Sequence, residues 1–125
     1  NKTIPFFSID DFFILNNNSC IFIGLDKVCD YNTSGNFKIQ EVLKKRTDDF
    51  FSPELTAIKQ IPTTIHYKSC YYSLGILLLK TFINVEIKNN DEFHEKSKII
   101  YGLSCYWFIQ NTISKNSKDR YILFI

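Results

Sequence analysis

Two short apolar runs open the chain. Residues 11–15 and 20–25 are rich in Phe and Ile, and Asn16-Asn17-Asn18-Ser19 stands between them. Asn tolerates left-handed backbone angles and Ser bonds locally, so the pattern predicts strand, turn, strand. Residues 27–47 are polar around Asn32-Thr33-Ser34-Gly35-Asn36 and read as a long surface loop, with one helical turn over 40–45. Phe51-Ser52-Pro53-Glu54-Leu55 reads as a helix start: Ser52 caps, Pro53 fits the first helical position, and Glu54 suits the positive end of the dipole. That helix is expected to end before Pro62. Residues 69–84 carry apolar side chains on nearly every side, from Tyr71 to Ile83. They predict a central buried helix capped by Ser69, with Lys80 extending its head to water. Residues 87–98 read as a polar loop or short exposed helix, 99–113 as a second apolar stretch, 115–118 as a polar turn, and 119–125 as a short closing apolar element. The fold class expected is mainly α with one short β-hairpin.

Composition narrows this further. With 125 residues, 45% of them apolar and 22% charged, the chain suits one globular domain that needs no metal or disulfide staple. A net charge of +2 gives little support to a nucleic-acid surface, and 16% aromatic content argues against disorder. Asn, Lys, Ile, Phe and Tyr supply roughly half of the residues, a bias expected of an A/T-rich genome. Asn1 is not a translation start, so the sequence reads as a processed product or part of a longer chain. Its longest apolar stretch falls short of the roughly 20 residues of a membrane span.

Candidate chemistry is mostly absent. Cys20, Cys29, Cys70 and Cys105 lack zinc spacing and read as four buried or half-buried thiols in a reducing, cytoplasmic setting. His66 and His94 stand away from any nucleophile motif, and His66 reads as a half-buried structural histidine. Asp10 and Asp11 are adjacent, so in an extended segment they point apart and make a poor acid–base pair. Lys44-Lys45-Arg46 reads as solvated surface, with a phosphate or acidic-partner contact as the sharper alternative.

In order, these segments resemble the large, C-terminal lobe of a eukaryotic-type protein kinase domain. Ser52-Pro53-Glu54-Leu55 is similar to the A-P-E motif that ends the activation segment. Ser69-Cys70-Tyr71-Tyr72-Ser73-Leu74-Gly75-Ile76-Leu77-Leu78 is similar to the S-D-V-W-S-L-G-I-L-L spine helix. Tyr106-Trp107-Phe108-Ile109 through Asn116-Ser117-Lys118-Asp119-Arg120 is similar to the closing helix and N-P-x-x-R. The 12–25 hairpin is similar to the one that joins the catalytic loop to D-F-G. The resemblance implies a kinase C-lobe-like helical domain. It divides into a catalytic-loop-like segment and hairpin over 1–27, an activation-segment-like loop over 28–55 and a helical core over 56–125. It also implies an ion pair between Glu54 and Arg120.

The catalytic positions depart from that pattern. The base aspartate falls at Phe6, the catalytic lysine at Ser8 and the metal-binding asparagine at Asp11. The D-F-G aspartate falls at Leu25, or at Asp26 with a one-residue shift. Phenylalanine accepts no proton, and leucine offers Mg²⁺ no oxygen. Cys70 replaces the spine-helix aspartate. Phosphoryl transfer rests on positioning and charge neutralisation, so the expectation is a pseudokinase without cofactor that acts by binding another protein, such as a kinase or a kinase substrate. The alternatives are part of a divergent, active Ser/Thr kinase using ATP and Mg²⁺ whose small lobe is missing, or a structural subunit of a larger complex.

Overall fold

The computed structural model of the chain describes residues 1–17, 19–44, 50–83 and 91–123. Six strands form three separate antiparallel pairs among these residues. Strand β1 (Lys2–Thr3) pairs with β4 (Cys29–Asp30). Strand β2 (Phe12–Ile14) pairs with β3 (Cys20–Phe22), with Phe12 opposite Phe22 and Phe13 opposite Ile21. Strand β5 (Asn36–Ile39) pairs with β6 (Thr63–His66), with Phe37 opposite Ile65. The helices are α1 (Pro53–Thr56), α2 (Ser69–Phe82), α3 (Asp91–Ser97) and α4 (Cys105–Thr112).

The β2–β3 hairpin forms where the apolar runs predicted it. The mainly α, kinase C-lobe-like class does not hold. Through residue 66 the described chain is built on strands, 3₁₀ turns and one four-residue helix. The physical reason lies in period-two patterning hidden within polar context. In Asn36–Ile39 the side chains of Phe37 and Ile39 turn inward while Lys38 turns out. The facing run Thr63-Thr64-Ile65 is β-branched and begins just after Pro62, which follows a cis peptide bond.

The loop expected over 27–47 therefore contains β4 and β5, and no helix forms over residues 40–44; residues 45–47 lie outside the described set. Asn32 builds the tight turn between these strands. Its Oδ1 accepts from the N–H groups of Ser34 and Asn36 at 3.0 and 2.9 Å, and Gly35 takes φ +76°, which favours glycine.

Helix α1 stops at Thr56, well before Pro62, and Ser52 does not cap it: its buried Oγ has no partner. Ser69 does not cap α2 either. Its hydroxyl donates to the Pro5 carbonyl at 2.9 Å, tying the start of α2 to the N-terminal segment. The second apolar stretch yields α4 after a 3₁₀ turn at Lys98–Ile100, and the closing residues 121–123 take no regular form.

Two apolar cores result. One joins α2, α3 and α4 through Tyr72, Ile76, Leu79, Phe93, Ile109 and Ile113. The other joins β5, β6 and α1 through Phe6, Phe37, Ile39, Phe51, Leu55 and Ile65. Phe50 enters the first and Phe51 the second, so neighbouring residues stitch the two together. The Ser73 hydroxyl on α2 donates to the Phe50 carbonyl at that junction. Helix α2 is buried along Tyr72, Gly75, Ile76 and Leu79, while Phe82 is half exposed and Lys80 carries its Nζ 4.8 Å from the centre of the Phe50 ring.

Candidate functional site

A cleft of about 520 Å³ lies where the N-terminal segment meets the hairpin. Phe6, Ser8, Asp11 and Asp26 line it together with Gly24 and Lys27. The 3₁₀ turn Ile9–Asp11 places Asp11 at the base of β2, opposite Ile23, whose N–H donates to the Asp11 carbonyl at 2.7 Å. A second 3₁₀ turn, Leu25–Lys27, then brings Lys27 back over the same carboxylate.

Asp11 is buried, and its Oδ2 accepts two short hydrogen bonds of 2.6 Å, from the Ser8 backbone N–H and from Lys27 Nζ. Charge-assisted bonds of this length are the strong ones, and burial reduces screening. Lys27 Nζ also sits 4.5 Å from the centre of the Phe6 ring, so the ammonium is held between a carboxylate and an aromatic face. Gly24 closes the other side. A Cβ there would lie 2.7 Å from Asp11 Oδ1 and 2.8 Å from the Phe22 ring, so a larger residue would have to displace one of these side chains.

The positions singled out from the sequence thus divide. Phe6, Ser8 and Asp11 come together, while Asp26 is exposed at the cleft and Leu25 is 71% exposed in solvent. Lys27 and Gly24, which complete the site, were not singled out. The signal was available: once Asp11 opens the hairpin, the register sets Ile23 across from it, and the next turn must pass close by.

Glu54 and Arg120 meet 66 residues apart in a bidentate pair, Nη1 to Oε1 at 2.5 Å and Nη2 to Oε2 at 2.8 Å. Arg120 is fully buried, and its other N–H groups are used as well. Nε donates to the Ser114 carbonyl at 2.7 Å, Nη1 to Lys68 at 3.2 Å and Nη2 to Lys115 at 3.2 Å. All five guanidinium donors are therefore satisfied. The guanidinium also lies 5.0 Å from the centre of the Tyr72 ring. This pair joins α1, the start of α2 and the C-terminal segment, and it has a structural role.

His66 is half-buried, its Nδ1 accepting from the Lys68 N–H at 3.3 Å and its ring against Tyr67. Burial and then the nearby Lys68 charge hold its pKa below the usual value. A second, open cleft of about 360 Å³ is lined by Tyr31, Tyr67, Tyr71 and Cys70. Burial and the neighbouring Tyr67 push the Tyr71 phenol up to about 12, so it stays protonated at neutral pH. Burial also raises the Cys29 and Cys70 thiols. No cysteine is in a disulfide, and Cys20 is exposed, against the expectation of four buried or half-buried thiols.

Among the described residues no group of three or more His, Cys, Asp or Glu side chains is placed to hold a metal. No helix among them is long and apolar enough to cross a membrane. Lys44 is exposed at the cleft, and Lys45 and Arg46 lie outside the described residues. No family model, curated protein or solved structure matches the chain.

Proposed function

We propose that the chain is a catalytically inert, pseudokinase-type module that acts by binding another protein, such as a kinase or a kinase substrate. The observation that carries this is the Asp11–Lys27 contact. The carboxylate of Asp11, which the resemblance puts at the metal-binding position, already has a cation 2.6 Å away, and the residue the resemblance puts at the base position is Phe6, which cannot accept a proton. A divalent ion entering there would have to displace an ammonium that is tethered to the same hairpin. Gly24 offers no side chain to share such an ion. A binding role is supported by apolar surface left open on the hairpin, including Phe13, Ile14 and Ile23, since large exposed patches mark interfaces. Four unpaired thiols are compatible with a reducing, cytoplasmic setting.

The test is transfer of labelled phosphate from Mg²⁺-ATP to a general protein acceptor, together with the thermal midpoint with and without Mg²⁺-ATP. The expected result is no transfer and no shift. Transfer that disappears in Asp11→Asn or Asp26→Asn would overturn the proposal. It would favour the second reading, a divergent active kinase seen in part, for which the exposed Asp26 at the cleft is the motivating observation.

A further inference from the structure

We propose that Lys68, Lys115 and Lys118, together with the adjoining tyrosine cleft, form a docking surface for a short acidic segment of a protein partner, one that carries an aromatic side chain among its carboxylates. The inference rests on the binding reading for the class of partner. It does not rest on the state of the Asp11–Lys27 cleft, and phosphate transfer is read in a separate assay, so the two fail separately.

Arg120 gathers the cations. Its guanidinium donates to the carbonyls of Lys68 and Lys115, and Lys68 Nζ donates to the Lys118 carbonyl at 3.1 Å. Three lysine positions are thereby pinned to one part of the surface, Lys115 and Lys118 with exposed side chains and Lys68 half-buried. None of the three forms an ion pair among the described residues. Glu54 has both oxygens committed to Arg120, and Asp119 is the carboxylate next to Lys118 in the chain. His66 registers the same excess of positive charge. After burial, Lys68, Lys118 and Arg120 all work against its protonation, and Glu54 alone favours it.

The cleft adjoins this cluster through the backbone. The Lys68 carbonyl that accepts from Arg120 also accepts from the Tyr71 N–H at 3.2 Å, at the start of α2. Tyr67, the residue before Lys68, stacks on Tyr31 at 4.9 Å between ring centres and meets Tyr71 edge-on at 5.7 Å. Tyr31 lines the cleft, and among the described residues Tyr67 is its ring partner on one face, with no ring or cation on the other. An open aromatic face beside apolar Phe7 and Val28 suits an incoming aromatic side chain.

Charge selects the occupant. Three cations at one edge of an aromatic cleft complement carboxylates that flank an aromatic residue. Lys2 also lines the cleft, but it is already paired with Asp30 at 3.3 Å. The positive charge is therefore concentrated in one place and is not laid out as a track for a nucleic-acid backbone. A lone anion would use the lysines and leave the cleft empty.

Fluorescence anisotropy of a labelled Glu-Glu-Phe-Glu-Glu peptide with the full chain tests this. Saturable binding that weakens as salt is raised is expected. Lys115→Glu/Lys118→Glu is expected to weaken it at least about tenfold, whereas Lys98→Glu, at another exposed lysine, leaves it unchanged. The Phe peptide is expected to bind more tightly than Glu-Glu-Ala-Glu-Glu, and Tyr31→Ala to remove that advantage. The two lysine substitutions lie at exposed side chains and carry the test if Tyr31→Ala does not fold. Absence of binding would overturn the proposal, as would equal weakening by Lys98→Glu or equal affinity for the Phe and Ala peptides. Displacement by inorganic phosphate at matched charge would reduce the surface to an anion site and overturn it. Tighter binding of oligothymidylate would overturn it in favour of a nucleic acid.

Discussion

Arg120 heads the fully buried side chains by volume, and it is charged. Its burial is tolerable because every donor has an acceptor and Glu54 supplies the counter-charge through both oxygens. Removing one partner strands the other. Glu54→Ala or Arg120→Ala is expected to cost about 3–5 kcal/mol of unfolding free energy, measured by urea denaturation. Arg120→Lys is expected to recover little of it, because an ammonium cannot reproduce the planar fork. His66 makes a second residue-scale prediction. Its folded pKa lies below the ordinary 6.5, so the unfolded chain takes up the proton first. Stability is therefore expected to fall as pH drops from about 6.5 toward the lower folded value. His66→Asn, which keeps an acceptor for the Lys68 N–H, is expected to flatten that part of the pH–stability curve. Equal slopes in the two proteins would exclude His66 as the cause.

Helix α2 packs against α4 at Gly75. A Cβ there would meet the Thr112 hydroxyl oxygen and would lie 2.7 Å from Ile113 Cγ2. Gly75 thus permits the contact between the two helices, and its φ is unremarkable for a helix. Gly75→Ala is expected to destabilise the fold by about 1–3 kcal/mol through overpacking, despite alanine's better helix propensity. The double variant Gly75→Ala/Thr112→Ala is expected to recover part of that loss; additive losses in a denaturation series would place the strain elsewhere. The strands show how far local pattern reaches. The β2–β3 hairpin was legible because two Phe- and Ile-rich runs flank a turn of Asn and Ser. Strands β5 and β6 were not: each has four residues, and 23 residues separate Ile39 from Thr63. Their pairing depends on contacts that no short window contains.

For the whole molecule, the same division holds. The long apolar helix α2 could be read from residue type and order, whereas the Glu54–Arg120 pair was expected only because the segments around it resemble a known family. The mixed architecture could not be read in this way. Strands β5 and β6 pack with α1 on one core while α2, α3 and α4 build the other, and polar residues between short apolar positions mask the alternation. The cleft shows a similar limit: Asp11 was singled out beside Asp10, but its partner Lys27 is 16 positions away and meets it only after the chain has reversed.

The Asp11–Lys27 contact has a consequence for how the cleft responds to its surroundings. A counter-ion built into the polypeptide is delivered at one equivalent per chain, arrives with folding and cannot be stripped by a chelator. The shape of this recess is therefore expected to stay the same as free magnesium changes, and to respond instead to a change in sequence or a covalent change to that lysine.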